Sequence, residues 1–436
     1  MAAPSSPITS DRPIPPASIV LFWLPLAATW FMMGCEGPYI AAIVARMPSA
    51  EHSLAAFGVA TALAWLIESP IMMPFSAATA LVHGRDSYLA LRRFTNILNA
   101  VVTLAMVVLS MPPVFRFIGE TCIGLPAEIS RLAQVGVCIL IPWPAAIGYR
   151  RFYQGVLVRH HLTRRVAYGT VVRLLSMSAT AALLAISTSL PGATLGACAL
   201  VAGVIAEAIA SRWMVRHVLR SIMQSDEPAG SLLELSDIAR FYYPLGLTSI
   251  LSMALGPLVT FGLGRGRAPV ESLAIWPVIT AVIFLFRSGG VGYQEVGVAL
   301  LGARCEHDGE VTRTGRWLGL LASLALAVVA FTPLQAIWFE RISGLSHSLA
   351  GFAIWPVRLL ILLPVTEYIL SIQRARLILT HSTRAITVAT AIETGGLFAA
   401  LMLGIGAFNM VGAVAGAVAM IFGRVAANVF LWARSR

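Results

Sequence analysis

The sequence predicts an all-α polytopic membrane protein whose twelve transmembrane helices form two pseudo-symmetric lobes of six. Three observations support this prediction: the composition, the number of long apolar segments and an internal repeat. Hydrophobic residues make up 58% of the 436 residues and charged residues only 12%, whereas about a quarter of the residues of a soluble protein are charged. This composition is typical of a chain that lies mostly in lipid.

Twelve apolar segments are long enough to cross a bilayer, which requires about 20 helical residues each. We number them span 1 to span 12 in chain order. The sequence places them near residues 18–46, 53–82, 95–118, 128–158, 164–189, 192–219, 240–264, 271–302, 316–339, 348–379, 384–405 and 407–433.

An internal repeat divides the chain into two halves. At an offset of 219, 17 of the 61 residues from 25 to 85 are identical to residues 244 to 304 without a gap. Farther along the offset becomes 220, where His161 matches His381. Each half holds six spans, an even number, so both halves enter the membrane in the same orientation and are related by an axis along the membrane normal.

The repeat and the charges predict the domains and the orientation. We expect a tail at 1–17, an N-lobe at 18–220, a linker at 221–238 and a C-lobe at 239–436. Arginines concentrate in alternate connections, and the positive-inside rule then places the tail, the linker and both termini in the cytoplasm. The expected location is the inner membrane of a bacterial cell.

Several functions are excluded by the residue types. All 31 basic residues are Arg, so the chain lacks the Lys of a phosphate-binding P-loop and of a pyridoxal Schiff base. The five cysteines are scattered and predict neither a disulfide framework nor a metal site. The net charge of +11 is explained by topology, so we expect the bilayer as partner and no nucleic acid, resident cofactor or metal.

Twelve ionisable residues are predicted to lie inside the spans. A charge at the bilayer centre costs about 2.5–3.5 kcal/mol on insertion scales, so such residues are expected to face a cavity or a partner. The acidic ones are Glu36, Glu68, Glu207, Glu295, Glu367 and Glu393, and the basic ones are Arg150, Arg151, Arg173, Arg287, Arg358 and Arg374.

Two pairs of these residues obey the repeat with opposite signs. Glu68 matches Arg287, and Arg173 matches Glu393. Equivalent positions lie at equal depth, so Glu68 is predicted to meet Arg287 across a cleft when one side closes. The hypothesis is that these pairs form or gate a substrate site in which a guanidinium binds an anion bidentately. The alternative is a set of structural ion pairs within each lobe.

Two further arginines on span 4 are predicted to lie near the cytoplasmic end. Arg151 is expected to snorkel to the membrane interface. Arg150 is a candidate for the substrate path at the cytoplasmic mouth.

Two carboxylates are candidates for coupling transport to H⁺ or Na⁺. Glu36 lies in the segment 34–38, where Gly and Pro are expected to loosen the helix and free carbonyl groups. Glu295 follows a Gly-rich run at 288–292 that is predicted to interrupt span 8, as Pro70 interrupts span 2. The alternatives are a proline kink for Glu36 and close helix packing for the glycines.

The tandem arrangement of two six-helix lobes resembles the MOP exporter superfamily, which includes multidrug (MATE) exporters and lipid-linked oligosaccharide flippases. Short segments resemble the progressive-ankylosis (ANK) proteins: residues 54–70, residues 155–160, and Tyr243-Pro244-Leu245 with Gly256-Pro257-Leu258. The resemblance implies a V-shaped carrier with alternating access. For the ANK branch it implies export of small anions such as citrate, pyrophosphate or nucleotides, and for MATE exporters a coupling acid on helix 1, which is Glu36 here.

The predicted function is therefore secondary active transport, by a monomer, of an organic or phosphorylated anion. A flippase for a lipid-linked polyprenyl diphosphate is the first alternative. A membrane-embedded transferase is a weaker one, since such enzymes usually need an extramembrane loop with paired acids or a His base.

Overall fold

The structure is a computed structural model and describes residues 14–44, 46–47, 50–123, 125–224, 234–302, 305–343 and 345–434. Within these residues twelve helical spans are long and apolar enough to cross a membrane, which confirms the predicted number. The same residues form no β-strand, so the all-α class is confirmed.

The spans are built from the following helices in chain order. They are Pro16–Val44 (span 1), Ala50–Glu68 with Pro74–Leu81 (span 2), Arg85–Ser110 (span 3), Ala127–Ile139 with Trp143–Arg159 (span 4), Thr163–Ser187 (span 5), Gly192–Met214 (span 6), Leu235–Leu263 (span 7), Pro269–Leu300 (span 8), Asp308–Phe331 (span 9), His347–Leu359 with Leu363–Leu379 (span 10), Thr383–Gly406 (span 11) and Gly412–Arg434 (span 12).

Span 3 differs most from its predicted bounds. It begins ten residues earlier than predicted, because its polar first three turns continue the helix beyond the apolar stretch. It ends at Ser110 because Met111 adopts an extended conformation before Pro112, the conformation that a following proline favours.

The predicted helix interruptions are confirmed only in part. Span 2 is interrupted by a 3₁₀ turn at Ser69–Met72, as predicted. Span 8 is a continuous helix through residues 288–292, so the predicted interruption there was wrong. Span 1 is also a continuous helix through residues 34–38, although Pro38 has no N–H to donate to the carbonyl of Gly34. The matched interruptions lie instead in spans 4 and 10, at residues 140–142 and Leu360–Leu362.

The glycines of span 8 provide close packing rather than a break. A Cβ on Gly289 would collide with Trp23 and Tyr368, and one on Gly292 would crowd Trp30. Small residues let the backbones of spans 1 and 10 approach span 8 here.

Three hydrophobic cores define how the lobes are joined. We call the side of the membrane where residues 14 and 434 lie the terminal side, and the opposite side the far side. At the terminal side a single core includes residues of both lobes, from Ile19 and Phe75 to Tyr293 and Leu431. At the far side the N-lobe and the C-lobe each have a separate core. The lobes are therefore packed together on the terminal side and have independent interiors on the far side.

Half of the predicted linker, residues 225–233, lies outside the described residues. The helix that follows span 6 runs from Arg216 to Gln224, past the predicted end of the N-lobe. Span 7 begins at Leu235, four residues before the predicted start of the C-lobe.

Candidate functional site

The two lobes touch on the symmetry axis itself. The hydroxyl of Ser76 in span 2 donates a 2.6 Å hydrogen bond to Oε1 of Glu295 in span 8. These residues are 219 apart in sequence, which is the offset of the repeat. Equivalent positions of two related units touch each other only at the axis that relates them. The axis therefore passes between the terminal-side ends of spans 2 and 8.

Two further hydrogen bonds between the lobes are related by the same symmetry. The indole N–H of Trp23 donates to the carbonyl of Gly289 at 2.9 Å, and the hydroxyl of Tyr242 donates to the carbonyl of Pro70 at 2.5 Å. At offset 219 Trp23 corresponds to Tyr242 and Pro70 to Gly289. We call these contacts, with Ser76–Glu295, the interlobe seam.

The seam also contains a buried cation. The guanidinium of Arg151 lies 5.0 Å from the ring of Trp30 and 5.7 Å from that of Phe75, and it interacts electrostatically with Glu295. Arg151 is only 3% exposed, so the prediction that it snorkels to the interface was wrong. Cation–π contacts stabilise this guanidinium in place of water.

A cluster of buried charges occupies the N-lobe around Glu207 of span 6. Arg150 of span 4 lies 2.5 Å from Oε2 of Glu207, and Nη1 of Arg173 from span 5 lies 3.7 Å from the same oxygen. The other carboxylate oxygen accepts hydrogen bonds from Gln154 at 2.9 Å and Thr170 at 3.2 Å. Arg150 is 1% exposed and is an internal partner of Glu207 here, and its predicted place on the substrate path stays a prediction.

Two more acids complete the N-lobe cluster. Arg173 lies 2.5 Å from Oε2 of Glu36, which ties span 5 to span 1. Glu68 interacts electrostatically with Arg150 and Arg173. One oxygen of Glu36 and one of Glu68 are buried without a hydrogen-bond partner among the described residues.

A second cluster occupies the C-lobe around Arg424 of span 12. Its Nη1 donates to Oε2 of Glu367 in span 10 at 2.9 Å, and its Nε lies 2.8 Å from Oε1 of Glu393 in span 11, an ion pair without good hydrogen-bond alignment. Arg287 of span 8 lies 3.0 Å from Oε2 of Glu367. Arg374 donates to the Thr390 hydroxyl at 3.0 Å and interacts electrostatically with both acids.

The two clusters are mirror images in charge. In the N-lobe an acid on the sixth span is flanked by arginines from the fourth and fifth spans. In the C-lobe an arginine on the sixth span of that half is flanked by acids from the corresponding fourth and fifth spans. The separation along the chain is the same, since Arg150 and Glu207 are 57 residues apart and so are Glu367 and Arg424.

The predicted pairing across a cleft is not formed. Arg287 contacts Glu367 of its own lobe, and Glu68 interacts with arginines of the N-lobe. Arg173 and Glu393 likewise each find partners within their own lobe. Their gating and substrate roles stay predictions, and so do the coupling roles of Glu36 and Glu295.

Arg424 and the seam residues Trp23, Ser76 and Tyr242 were not among the site residues predicted from the sequence. Arg424 lies well inside span 12, so its position in the sequence already marked it as a charge within the membrane. The pair Glu367–Arg424 is offset by 217 residues from Arg150–Glu207, three short of the surrounding 220. That difference is about one helical turn, so a direct alignment of the halves hides the correspondence.

Solved structures share this arrangement of helices over nearly the whole chain. A MOP superfamily transporter from Pyrococcus furiosus, described as having a binding pocket of reversed polarity, superposes with a TM-score of 0.76 at 16% identity, covering 99% of this chain and 98% of that one. A MATE transporter from Vibrio cholerae gives 0.76 at 13% identity, covering 96% of each chain. An outward-facing multidrug resistance MATE transporter gives 0.69 at 15%, covering 96% of this chain and 95% of that one.

These similarities establish the fold, which is that of the MOP superfamily transporters of the MATE type. No protein-family profile matches the chain, and no curated protein sequence matches it.

Proposed function

We propose that the protein is a secondary active transporter that moves its cargo by alternating access between the two lobes. The observation that carries this proposal is the distribution of cores: one joins the lobes at the terminal side, and two separate ones lie at the far side. Lobes joined in this way can rock about a site near the middle of the membrane. The fold likeness to solved transporters favours this function over a membrane-embedded transferase.

The proposed cargo is an organic or phosphorylated anion. The C-lobe cluster holds three arginines against two acids, so it attracts negative charge. Arg287 is the most accessible member of its ion pairs, with 23% of its side chain exposed. A guanidinium recognises a carboxylate or a phosphate through two parallel hydrogen bonds. The resemblance of residues 54–70 to ANK proteins supports the same class of cargo.

The proposed coupling ion is H⁺ or Na⁺, bound at carboxylates that have an unsatisfied oxygen. Glu36, Glu68 and Glu295 each have one buried oxygen without a hydrogen-bond partner in the described part of the chain. A proton would satisfy such an oxygen by turning it into a donor. Glu295 lies in the seam, so its ionisation would be linked to the separation of the lobes.

The remaining proposals concern the membrane, the orientation and the oligomeric state of the protein. Arginine placement supports an inner-membrane protein with both termini in the cytoplasm, and the terminal side is then the cytoplasmic side. In this orientation the seam closes the cytoplasmic side and the far side is the outer side. We propose a monomer, since two lobes in one chain already form the pair that alternating access requires.

The test is uptake of radiolabelled citrate and phosphate compounds into proteoliposomes, with and without gradients of pH and Na⁺. Arg287→Gln is expected to reduce anion uptake at least about tenfold, the loss expected when a charged hydrogen bond is removed. Glu68→Gln is expected to make anion uptake less dependent on the gradient of pH or Na⁺. Glu120→Gln is the matched control, because Glu120 is exposed outside the clusters.

Wild-type uptake by both Arg287→Gln and Glu68→Gln, in protein with unchanged thermal stability, would exclude these residues from the transport site. Translocation of a fluorescent lipid-linked diphosphate with no uptake of any soluble anion would replace the proposed cargo by the flippase alternative.

A further inference from the structure

A basic cavity opens at the terminal side of the C-lobe, and none of its residues belongs to the interlobe seam or to the buried charge clusters. It has a volume of about 670 Å³ and is formed by the start of span 7, the turn between spans 10 and 11, and the end of span 12. Its charged residues are Asp237, Arg240, Arg384 and Arg434.

These arginines are not neutralised by acids of the described chain. No salt bridge within 4.0 Å links Arg240, Arg384 or Arg434 to a described carboxylate. Asp237 is the single acid in the cavity wall, so three positive charges face one negative charge. The cavity therefore attracts an anion.

The first turn of span 11 lines the same cavity. Its Thr383 and Arg384 N–H groups make no backbone hydrogen bond within the described chain, whereas Ala385 N–H donates to the carbonyl of Ser382 at 3.2 Å. The helix starts at Thr383, and the preceding Ser382 makes no capping hydrogen bond with its side chain. The hydroxyl of Thr383 donates to the carbonyl of Phe241 at 3.0 Å and so does not cap the helix either. Free N–H groups in a first helical turn bind phosphate oxygens.

The N-lobe repeats the frame of this cavity with only one of its three arginines, Arg164 at the position of Arg384. His161 and His381 both have a left-handed backbone, with φ of 59° and 55°, and their rings contact equivalent phenylalanines at 5.5 Å and 5.4 Å. However, Leu21 and Met214 occupy the N-lobe positions that correspond to Arg240 and Arg434. The packing of this frame therefore does not require the two arginines.

The cavity also has an apolar wall, which distinguishes a lipid from a soluble anion. Phe241, Val388 and Phe430 line it, and Val388 is 46% exposed on span 11. Apolar residues of spans 11 and 12 continue from this wall into the membrane. Basic pockets between helices at the cytoplasmic face bind phospholipid headgroups.

We propose that this cavity binds the phosphate of an anionic phospholipid, with Arg240, Arg384 and Arg434 around the headgroup and the acyl chains along spans 11 and 12. This site is independent of the proposed transport function.

The experiment is native mass spectrometry of the purified full-length protein with added phosphatidylglycerol, phosphatidylcholine or glycerol phosphate. The variant Arg240→Leu/Arg434→Met gives the C-lobe the residues of the N-lobe. It is expected to bind phosphatidylglycerol at least about tenfold more weakly, since each basic residue near an anionic lipid surface contributes about 1 kcal/mol. Arg164→Gln, at the N-lobe position equivalent to Arg384, is expected to keep wild-type binding.

Thermal unfolding without lipid checks that the double variant is folded. The proposal is overturned if the folded double variant binds phosphatidylglycerol as the wild type does, or if phosphatidylcholine binds equally well. Equal binding of glycerol phosphate would also overturn it, because the acyl chains would then contribute nothing.

Discussion

At the scale of single residues, the main feature of the protein is that its two lobes contain buried charge clusters of reversed sign. Each lobe buries a central charge between two charges of the opposite sign, and the sign of the central charge is reversed between the lobes. Three helices of each lobe are tied together through one residue. Glu207 and Arg424 are therefore the residues on which their clusters depend.

Removing either central residue is expected to destabilise the protein, with opposite responses to pH. Glu207→Gln removes the ion pair of Arg150 and leaves Arg173 paired only with Glu36. Arg424→Gln removes the ion pair of Glu393 and leaves Glu367 paired only with Arg287. Each variant leaves one buried charge without its ion-pair partner, which costs about 3–5 kcal/mol. Acids can take up protons as the pH falls, whereas a guanidinium stays charged. The measurement is thermal unfolding in detergent between pH 5 and 8, roughly the stable range of many proteins. Arg424→Gln should regain part of its lost thermal stability at the lower pH, and Glu207→Gln should not.

Glu120→Gln is the control for this series, since its side chain is exposed. Equal recovery of both variants at low pH, or no loss of stability in either, would contradict the assignment of the central residues.

Sequence reasoning identified most of the charged residues but not their partners. The repeat aligns Glu68 with Arg287 and Arg173 with Glu393, and alignment shows equivalence of position, not contact. Contacts depend on the rotation of each helix about its own axis. A displacement of one helical turn was enough to conceal the mirror relation between Arg150–Glu207 and Glu367–Arg424.

At the scale of helices, number and order were predictable, and interruptions were predictable only in part. Apolar length sets the count of spans because the bilayer has a fixed thickness. A glycine or a proline can either interrupt a helix or allow close packing. Pro70 lies in the interruption of span 2, whereas Gly289 permits close packing along span 8. Which use applies depends on the neighbouring helix, which the local sequence does not contain.

The contact between spans 2 and 4 offers a test of close packing. A Cβ on Gly155 of span 4 would collide with the carbonyl oxygen of Phe75 and with Ala78. Gly155→Ala is therefore expected to destabilise the protein by about 1–3 kcal/mol, as overpacking does. The measurement is the midpoint of thermal unfolding in detergent.

Gly58→Ala is the matched control, because a Cβ there meets no atom within 4 Å. Alanine is the better helix former by up to about 1 kcal/mol, so this control should be neutral or stabilising. A Gly155→Ala variant as stable as the wild type would show that spans 2 and 4 are not in close contact.

At the scale of the whole molecule, the lobes are joined differently at the two sides of the membrane. The terminal side has a shared core and the seam, and the far side has neither. Under the proposed alternating access, closing the far side requires that the seam opens. The repeat predicted this twofold arrangement. It could not predict the seam, because the seam forms only in a conformation in which the terminal side is closed, and a sequence does not specify one conformation.

Weakening the seam is expected to shift the population toward a closed far side. Tyr242→Phe and Trp23→Phe each remove one interlobe hydrogen bond while keeping a ring, at about 1 kcal/mol or roughly fivefold in population. Spin labels at positions 117 and 337, which are equivalent and exposed at the far side, report the separation by pulsed EPR. Both variants should enrich the shorter distance to a similar extent.

Phe331→Leu, an exposed change away from the seam, serves as the control. An unchanged distance distribution in both seam variants would mean that these hydrogen bonds do not hold the lobes together.

The hydrogen bond between Ser76 and Glu295 also indicates when the two halves of the chain became different from each other. In an ancestor made of two separate identical subunits, this point of contact would bring the same residue face to face with its own copy. Such an ancestor cannot place a donor opposite a different acceptor there. The unlike pair, and the reversed signs of the two charge clusters, therefore arose after duplication gave each copy its own coding sequence, so that each could mutate alone.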